Sequence, residues 1–539
     1  MEERVTVDQL KPPDRKDGYP TQTPRWLRRV LEFIPGSMIW FFVLSPLIFA
    51  LLGWEKVFVF YISYLIIYWV YRGIKFVVGV ALGVKRMNRD MLRDFISECK
   101  EENEKRFNEL EYIYLCPVYK EGLEVLDPSF DAWAKSDIGA DRIHVIVAME
   151  EKTAKDIQIP QFNTLKKKYG DKFASMEYYV HPSGIQGEAA GVKGANINWA
   201  MRNYVKKIEK EGKDIHNYML ITCDCDLRPH PKYLSAITYK YLTADLPDQK
   251  YYTSAVYTLN NNIWRVPVLI RVQSTMLTLV TIHNWTTEKY ETIPFSNSVF
   301  SSKASFSSYV VNLKTLKEVH YWDPQLGIDD TTFFWNAVVR YKGEFKGEEV
   351  YLPSDSDAVE NENMVKSYKS FYKQQHRWGW GIIIFPTTLA ALIYSKEIPW
   401  NWKSHMIFAM VKNYILFFTV VYLMTVGLDL LGVFSKDYAF SSASYNLPEA
   451  MSFLLGLLII CNLFLIYYRR KLIPVPSNWP WWRHILDFGE IALIAVQMLT
   501  FGFVPYLQAH TEMMLGKGFK KNFYVTDKVE IKKKSINGR

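Results

Sequence analysis

The sequence predicts an α/β fold: a Rossmann-like, mostly parallel sheet domain inserted between transmembrane α-helices. Three observations carry this. Two long apolar stretches, 37–54 and 57–84, come early in the chain, and two more, 405–434 and 451–468, come late; each is long enough to cross a bilayer. Between them, over 85–404, lie 320 residues of mixed polarity, enough to bury a core of their own. Within that stretch short apolar runs alternate with segments of helical periodicity, the pattern of a parallel sheet covered by helices.

Taken in order, residues 1–36 are polar, with several prolines and charges, and do not resemble a cleavable signal sequence. Arg25, Arg28 and Arg29 precede the first span, and Lys85, Arg86, Arg89 and Arg93 follow the second. Only Glu55 and Lys56 lie in the turn between. The positive-inside rule therefore places both outer flanks, and the large domain that follows, in the cytoplasm. Arg469, Arg470 and Lys471 after the fourth span repeat the signal. The expected protein is integral to the cell membrane, plasma or inner, with membrane lipid as a partner.

The domain is expected over 90–375. Strands are predicted in 111–119, 142–149, 176–181, 217–225 and 251–259, and a helix in 194–210 that stops near Gly212. Segment 367–403 reads as interfacial helices, and 485–512 as an interfacial or re-entrant helix, because Glu490 and Pro505 interrupt its apolar run. An alternative is that 380–395 also spans, although it is short. A C-terminal segment, 513–539, follows. The composition, 49% hydrophobic and 16% aromatic, is rich for a soluble protein. The net charge of +9 suits an anionic surface or substrate, and the positive-inside flanks by themselves account for it. Nucleic-acid binding is not expected, since the domain has no compact basic run with interleaved aromatics.

In parallel sheets ligands bind beyond the carboxyl ends of the strands, and the polar residues collect there. "LITCDCDLRP", 220–229, places Cys223, Asp224, Cys225 and Asp226 together. If the strand runs to Cys225, the aspartates point to one face and the cysteines to the other. With only five cysteines in the chain, a zinc site is improbable. Asp224 and Asp226 suit a hard ion, Mg²⁺ or Mn²⁺; a solvated strand end is the competing reading. Cys223 and Cys225 are expected to be small packing residues.

Lys193, in "GVKGANINWA", sits where a glycine-rich turn enters a helix, so its ammonium and the free N–H groups can meet a phosphate. The alternative is a solvated lysine before a capped helix. "GIDDTT", 327–332, offers Asp329 and Asp330, one of which is suited to act as general base or as the cap of the following helix. "QQHRWGWG", 374–381, sets Gln374 and Arg377 on one helical face beside Trp378, for a phosphate and the underside of a sugar ring, or as membrane-boundary anchors.

These pieces, in this order, resemble the processive membrane glycosyltransferases of family 2, particularly bacterial cellulose synthase and the hyaluronan and chitin synthases. The resemblance covers roughly 110–530. It rests on "CPVYKE", on "KGANIN" (193–198), on "DCD", on "IDDT" as a variant of Thr-Glu-Asp, on "QQHRW" as Gln-x-x-Arg-Trp, and on "FYVTDK" (523–528) as the Phe-x-Val-Thr-x-Lys gating loop. It implies a GT-A fold that binds a nucleotide-diphosphate sugar, with UDP as the expected nucleotide. Tyr119, Glu121 and Glu150 would lie near the nucleoside, Lys193 near the diphosphate, and Asp224 and Asp226 at the donor and its Mg²⁺ or Mn²⁺. Asp330 would be the catalytic base of an inverting transfer. Gln374 and Arg377 would serve the leaving diphosphate, Trp378 would form the acceptor platform, and Thr526 and Lys528 would close on the donor.

Two departures stand out. "AMEEKT" puts Glu150 and Glu151 where the family has Asp-Asp-Gly-Ser, and Ile328-Asp329-Asp330 replaces Thr-Glu-Asp. No segment resembles the cyclic-di-GMP-binding tail of bacterial cellulose synthase, so regulation by that nucleotide is not expected. The acceptor implied is a growing polysaccharide passed through the membrane. Single addition to a glycolipid, or an inactive sugar-binding or transport protein, are the alternatives.

Overall fold

The computed structural model describes residues 6–189, 193–301, 303, 308–456 and 458–518, with backbone only at 455 and 458–460. Thr526, Lys528 and the rest of "FYVTDK" lie outside the described residues.

Two helices, α1 (Arg25–Leu51) and α2 (Glu55–Leu92), precede the domain. Eight strands then build one sheet: β1 (Glu111–Pro117), β2 (Ile143–Glu150), β3 (Ser175–His181), β4 (Tyr218–Thr222), β5 (Arg228–Pro229), β6 (Lys250–Thr258), β7 (Tyr309–Asn312) and β8 (Lys346–Asp355). The spatial order is β3-β2-β1-β4-β7-β6-β8-β5. Neighbours β3, β2, β1 and β4 are parallel, as are β6 and β8, whereas β7 runs antiparallel to β4 and β6. The α/β architecture read from alternation is the one observed, and all five predicted strands form.

Strand β1 shows why the runs are continuous rather than alternating in polarity. Tyr112, Tyr114 and Cys116 enter one core, while Ile113 and Leu115 enter the other, so both faces are covered. The second core is shared with the membrane-type helices, through Ile39 of α1 and Val80 and Val84 of α2. Sheet and helices are thus packed as one body.

The remaining helices that matter for the site are α3 (Lys193–Lys210), α4 (Val268–Thr287), α5 (Asp329–Arg340), α6 (Met364–Gly379), α7 (Trp400–Phe434) and α8 (Trp481–Met514). Four of these helices, α1, α2, α7 and α8, are long and apolar enough to cross a membrane. Large apolar side chains are exposed along them, among them Phe33, Phe60, Ile67 and Val433, which is the surface lipid would cover. The predicted 451–468 span falls in two consecutive helices, Ser442–Gly456 and Leu458–Leu472. Segment 384–394 is a helix with Ile384, Phe385, Ala390 and Leu392 buried, so it lies inside the molecule rather than on its apolar belt.

Helix α8 contacts both the domain side and the long apolar helices, with Tyr506 and Phe503 stacked on Phe418 and Tyr422 of α7. Arg271 of α4 pairs with Glu490, Phe501 lies against Tyr368 and Phe371 of α6, and His376 of α6 meets Glu512 at 3.0 Å. Its last turn touches the start of α1, where the Arg29 guanidinium donates to the carbonyls of Met513 and Met514. The same helix is interrupted by a 3-10 turn at Glu490–Leu493 and a π-helical turn at Met498–Phe503.

Candidate active site

The site lies beyond the carboxyl ends of β1, β2 and β4. Strand β4 ends at Thr222, three residues short of the predicted end, because Cys223–Asp226 turn away and the Leu227 amide donates to the Asp224 carbonyl. Strict alternation therefore does not govern the "CDCD" stretch. Cys223 and Cys225 are both buried in the core, as packing residues. Asp224 is about one-third exposed, and its Oδ1 accepts from Lys193 Nζ at 3.0 Å. Asp226 is buried, and its Oδ2 accepts from the Asp357 amide at 2.8 Å.

Lys193 opens α3, and its ammonium bridges two elements: 3.0 Å to Asp224 and 3.6 Å to Asp329 Oδ2. The next residue explains the approach. A Cβ on Gly194 would stand 3.3 Å from the Asp329 Cβ, so glycine is what lets α3 come this close to the start of α5. Burial works against the charged ammonium, but Asp224 and Asp329 outweigh it and hold the Lys193 pKa well above its ordinary value.

Asp329 and Asp330 are the first two residues of α5, and Ile328, not an aspartate, is the cap residue. Asp330 Oδ1 accepts from the Thr331 amide at 2.6 Å and from its hydroxyl at 3.2 Å. Burial, then the neighbouring Asp329 charge, push the Asp330 carboxyl above the ordinary carboxylate range, against the pull of Lys193. A carboxyl so raised is a better proton acceptor than an exposed one. Of the two aspartates the sequence offered here, Asp329 is the one that meets Lys193.

On the other side of the site, Tyr119 and Glu121 form one short loop. The Glu121 carboxylate accepts from the Tyr119 amide at 2.7 Å and from the Lys120 amide at 3.1 Å. Gln158, unflagged by the sequence, ties this loop to β2. Its Nε2 donates to the carbonyls of Val118 and Tyr119, and its Oε1 accepts from the Glu150 amide.

Glu150 in turn meets His181, whose two ring nitrogens lie 3.3 Å from Glu150 and 3.1 Å from Glu188. Burial opposes the imidazolium, yet the two carboxylates raise its pKa to about 9. Neither His181 nor Glu188 carries a sequence signal; their meeting depends on the β2–β3 register, in which Glu150 is paired with His181.

Gln374, Arg377 and Trp378 are half-buried on α6, a separate helix seated on the end of α8. The structure thus brings together Lys193, Asp224, Asp329 and Asp330 by direct ion pairing or mutual charge, and Tyr119, Glu121 and Glu150 through Gln158 and the adjacent strand ends.

No family model matches the sequence, and no curated protein matches it. Among solved structures, a Pyrobaculum calidifontis mannosyltransferase in complex with GDP-Man and Mn²⁺ is similar at 11% identity and a TM-score of 0.39, covering 76% of this chain and 98% of its own. S. aureus TarS 1–349 in complex with UDP-GlcNAc is similar at 13% identity and a TM-score of 0.35, covering 67% and 90%. GalNAc-T7 with UDP, GalNAc and Mn²⁺ is similar at 10% identity and a TM-score of 0.32, covering 57% and 59%. These are weak likenesses, and what the site does is read from its own residues.

Proposed function

We propose that the chain is a membrane-embedded glycosyltransferase that moves a sugar, with inversion, from a nucleotide-diphosphate sugar to a growing polysaccharide. The observation that carries this reading is the Lys193 bridge. One ammonium joins the Asp-x-Asp turn after β4 to the Asp329–Asp330 pair that opens α5, where a donor diphosphate and an acceptor hydroxyl have to meet.

In this reading Asp330 takes the proton of the acceptor hydroxyl. The new bond forms at the sugar C1 as the bond to the diphosphate oxygen breaks from the opposite face. Lys193 and Arg377 meet the charge left on the diphosphate. Tyr119, Glu121 and Glu150 face the nucleoside, with Gln374 beside the diphosphate and Trp378 under the acceptor. Thr526 and Lys528, in the "FYVTDK" segment, close over the donor.

The carboxylates fit a divalent cation. Three of them, Asp224, Asp329 and Asp330, lie around a single ammonium, so one lysine faces three carboxylates. Asp224 and Asp226 would hold Mg²⁺ or Mn²⁺, with Asp226 anchored through Oδ2 by the Asp357 amide. The ion would supply Lewis-acid neutralisation of the departing diphosphate.

The topology is part of the proposal: α1, α2, α7 and the 442–472 pair cross the membrane, the domain is cytoplasmic, and α8 lies at the interface. The contacts of α8 with α4 and α6 support an interfacial position, and its end beside Arg29 supports a C-terminal segment on the domain side. Protease treatment of a C-terminal tag in sealed vesicles tests this; a tag on the face opposite the domain sinks the "FYVTDK" role.

Membranes containing the chain, supplied with labelled UDP- and GDP-sugars with and without Mn²⁺, test the activity. Polymer made in the presence of metal is the expected product. Labelled glycolipid would replace the polymer reading with single addition to a lipid, and absence of turnover with every donor would overturn transfer itself.

A further inference from the structure

A second cluster of charge lies where α2, the end of α4, residues 288–301 with Lys303, and α7 converge. Glu288 is its centre. Arg72 Nη1 stands 2.9 Å from its carboxylate, Lys75 Nζ 3.2 Å, His283 Nε2 3.6 Å and Lys303 Nζ 3.7 Å. Beside it Glu291 meets Lys412 at 2.8 Å and His405 at 3.4 Å. Among the described residues four cations therefore face two carboxylates, with two imidazoles between them. A neighbouring quartet makes the contrast: Lys250 and Lys289 pair with Glu348 and Glu349, two against two.

The depth of this cluster is set by the helices. Glu55, at the outer end of α2, accepts from the hydroxyl of Ser435 just past the end of α7 at 2.8 Å, so the two helices share an outer boundary. At 1.5 Å per residue Arg72 lies about 26 Å from that boundary along α2, and Lys412 about 33 Å along α7. A hydrocarbon layer is about 30 Å thick. With Glu55 and Ser435 set at the outer edge of that layer, as the proposed topology has it, the cations stand at its inner edge, at headgroup depth. Around them the outer faces of the same helices are apolar and exposed: Ile67, Tyr71, Ile74 and Phe408.

We propose that this cluster binds the phosphate of an acidic phospholipid headgroup, with Arg72, Lys75, Lys303 and Lys412 as its ligands. Surplus positive charge at headgroup depth, flanked by exposed apolar helix faces, fits a phosphate that arrives on acyl chains better than one that arrives from water. The half-buried Lys303 supports the reading. Burial first, with smaller contributions from Lys412 and Arg72, lowers its pKa despite Glu288 and Glu291, so its ammonium gains from a further anionic partner. The cluster also reaches α5. Phe300, at the end of the same segment, lies 6.0 Å from the ring of Trp335 on α5 and 5.7 Å from His405, so an occupied cluster braces the helix that begins with Asp329 and Asp330.

The test is binding of labelled phosphatidylglycerol to the full chain in phosphatidylcholine nanodiscs, read without any activity assay. The paired change Arg72→Gln and Lys75→Gln is expected to weaken binding about 10-fold or more. Glu288→Gln, which removes the competing carboxylate, is expected to strengthen it several-fold. If Glu288 is only the hub of a structural ion cluster, its loss weakens binding or leaves it unchanged while lowering the melting temperature, and that result overturns the proposal. Displacement of the lipid by millimolar inorganic phosphate overturns the assignment to a lipid headgroup. Because the readout is lipid affinity, it stands or falls separately from the transferase reading.

Discussion

The acidic site at the ends of the strands and the basic cluster at the membrane boundary are opposites built from the same parts. At the first, Asp224, Asp329 and Asp330 surround Lys193. At the second, Arg72, Lys75, Lys303 and Lys412 surround Glu288 and Glu291. The quartet of Lys250, Lys289, Glu348 and Glu349 shows what a balanced set looks like. A partly buried set with surplus charge is costly unless a ligand of the opposite sign completes it. The two proposals follow the sign of the charge: a cation-bearing diphosphate is proposed for one, a headgroup phosphate for the other.

The largest break in this comparison is expected from Asp330→Asn. It keeps the shape of the α5 start and removes the proton acceptor, so turnover should fall by about 10²–10⁴-fold while donor binding, followed by isothermal titration, survives. Retained turnover would move the base to Asp329. Lys193→Met leaves the carboxylates facing one another without their common cation. Turnover is expected to fall about 10²-fold, with donor affinity falling as well, whereas a change in folding stability alone would refute a role at the diphosphate.

Smaller effects separate the site's frame from its chemistry. Gln158→Ala strips three hydrogen bonds that tie β1 to β2. Leaving those buried groups unmet should cost about 1–3 kcal/mol, visible in denaturant unfolding, and raise KM for the donor more than it lowers kcat. The smallest effect is a pH slope. The folded-state pKa of His181 is raised to about 9 from 6.5, so its imidazolium contributes stability that is fully present below about pH 6.5 and lost as pH rises through about 9. His181→Gln should remove that slope from a Tm-against-pH series; an unchanged slope would place the titrating group elsewhere.

How far the sequence leads can be seen strand by strand. Runs such as "EYIYLCP" and "IHVIVAME" are apolar at nearly every position because both faces of a parallel strand are covered, and that pattern survives without knowing any partner. Tyr309–Asn312 was not legible, being four residues long. Lys346–Asp355 was not legible either, with Glu348, Glu349 and Pro353 breaking its apolar run. The predicted extension of β4 through Cys225 failed because a local turn, not alternation, orients Asp224 and Asp226.

The sequence by itself determined the order of the parts: long apolar helices, strands, the lysine that opens α3, the Asp-x-Asp after β4 and the aspartates that open α5. Those are local properties, written in hydrophobic period and in residue type at element ends. Only the tertiary structure decided that Asp329 joins Asp224 at Lys193, that Gly194 sits against Asp329, that Gln158 and His181 tie the ends of β1, β2 and β3 together, and that Arg72 meets Glu288 while Lys412 meets Glu291. These meetings join residues tens to hundreds of positions apart. They follow from strand register and helix packing, which no single stretch of chain contains.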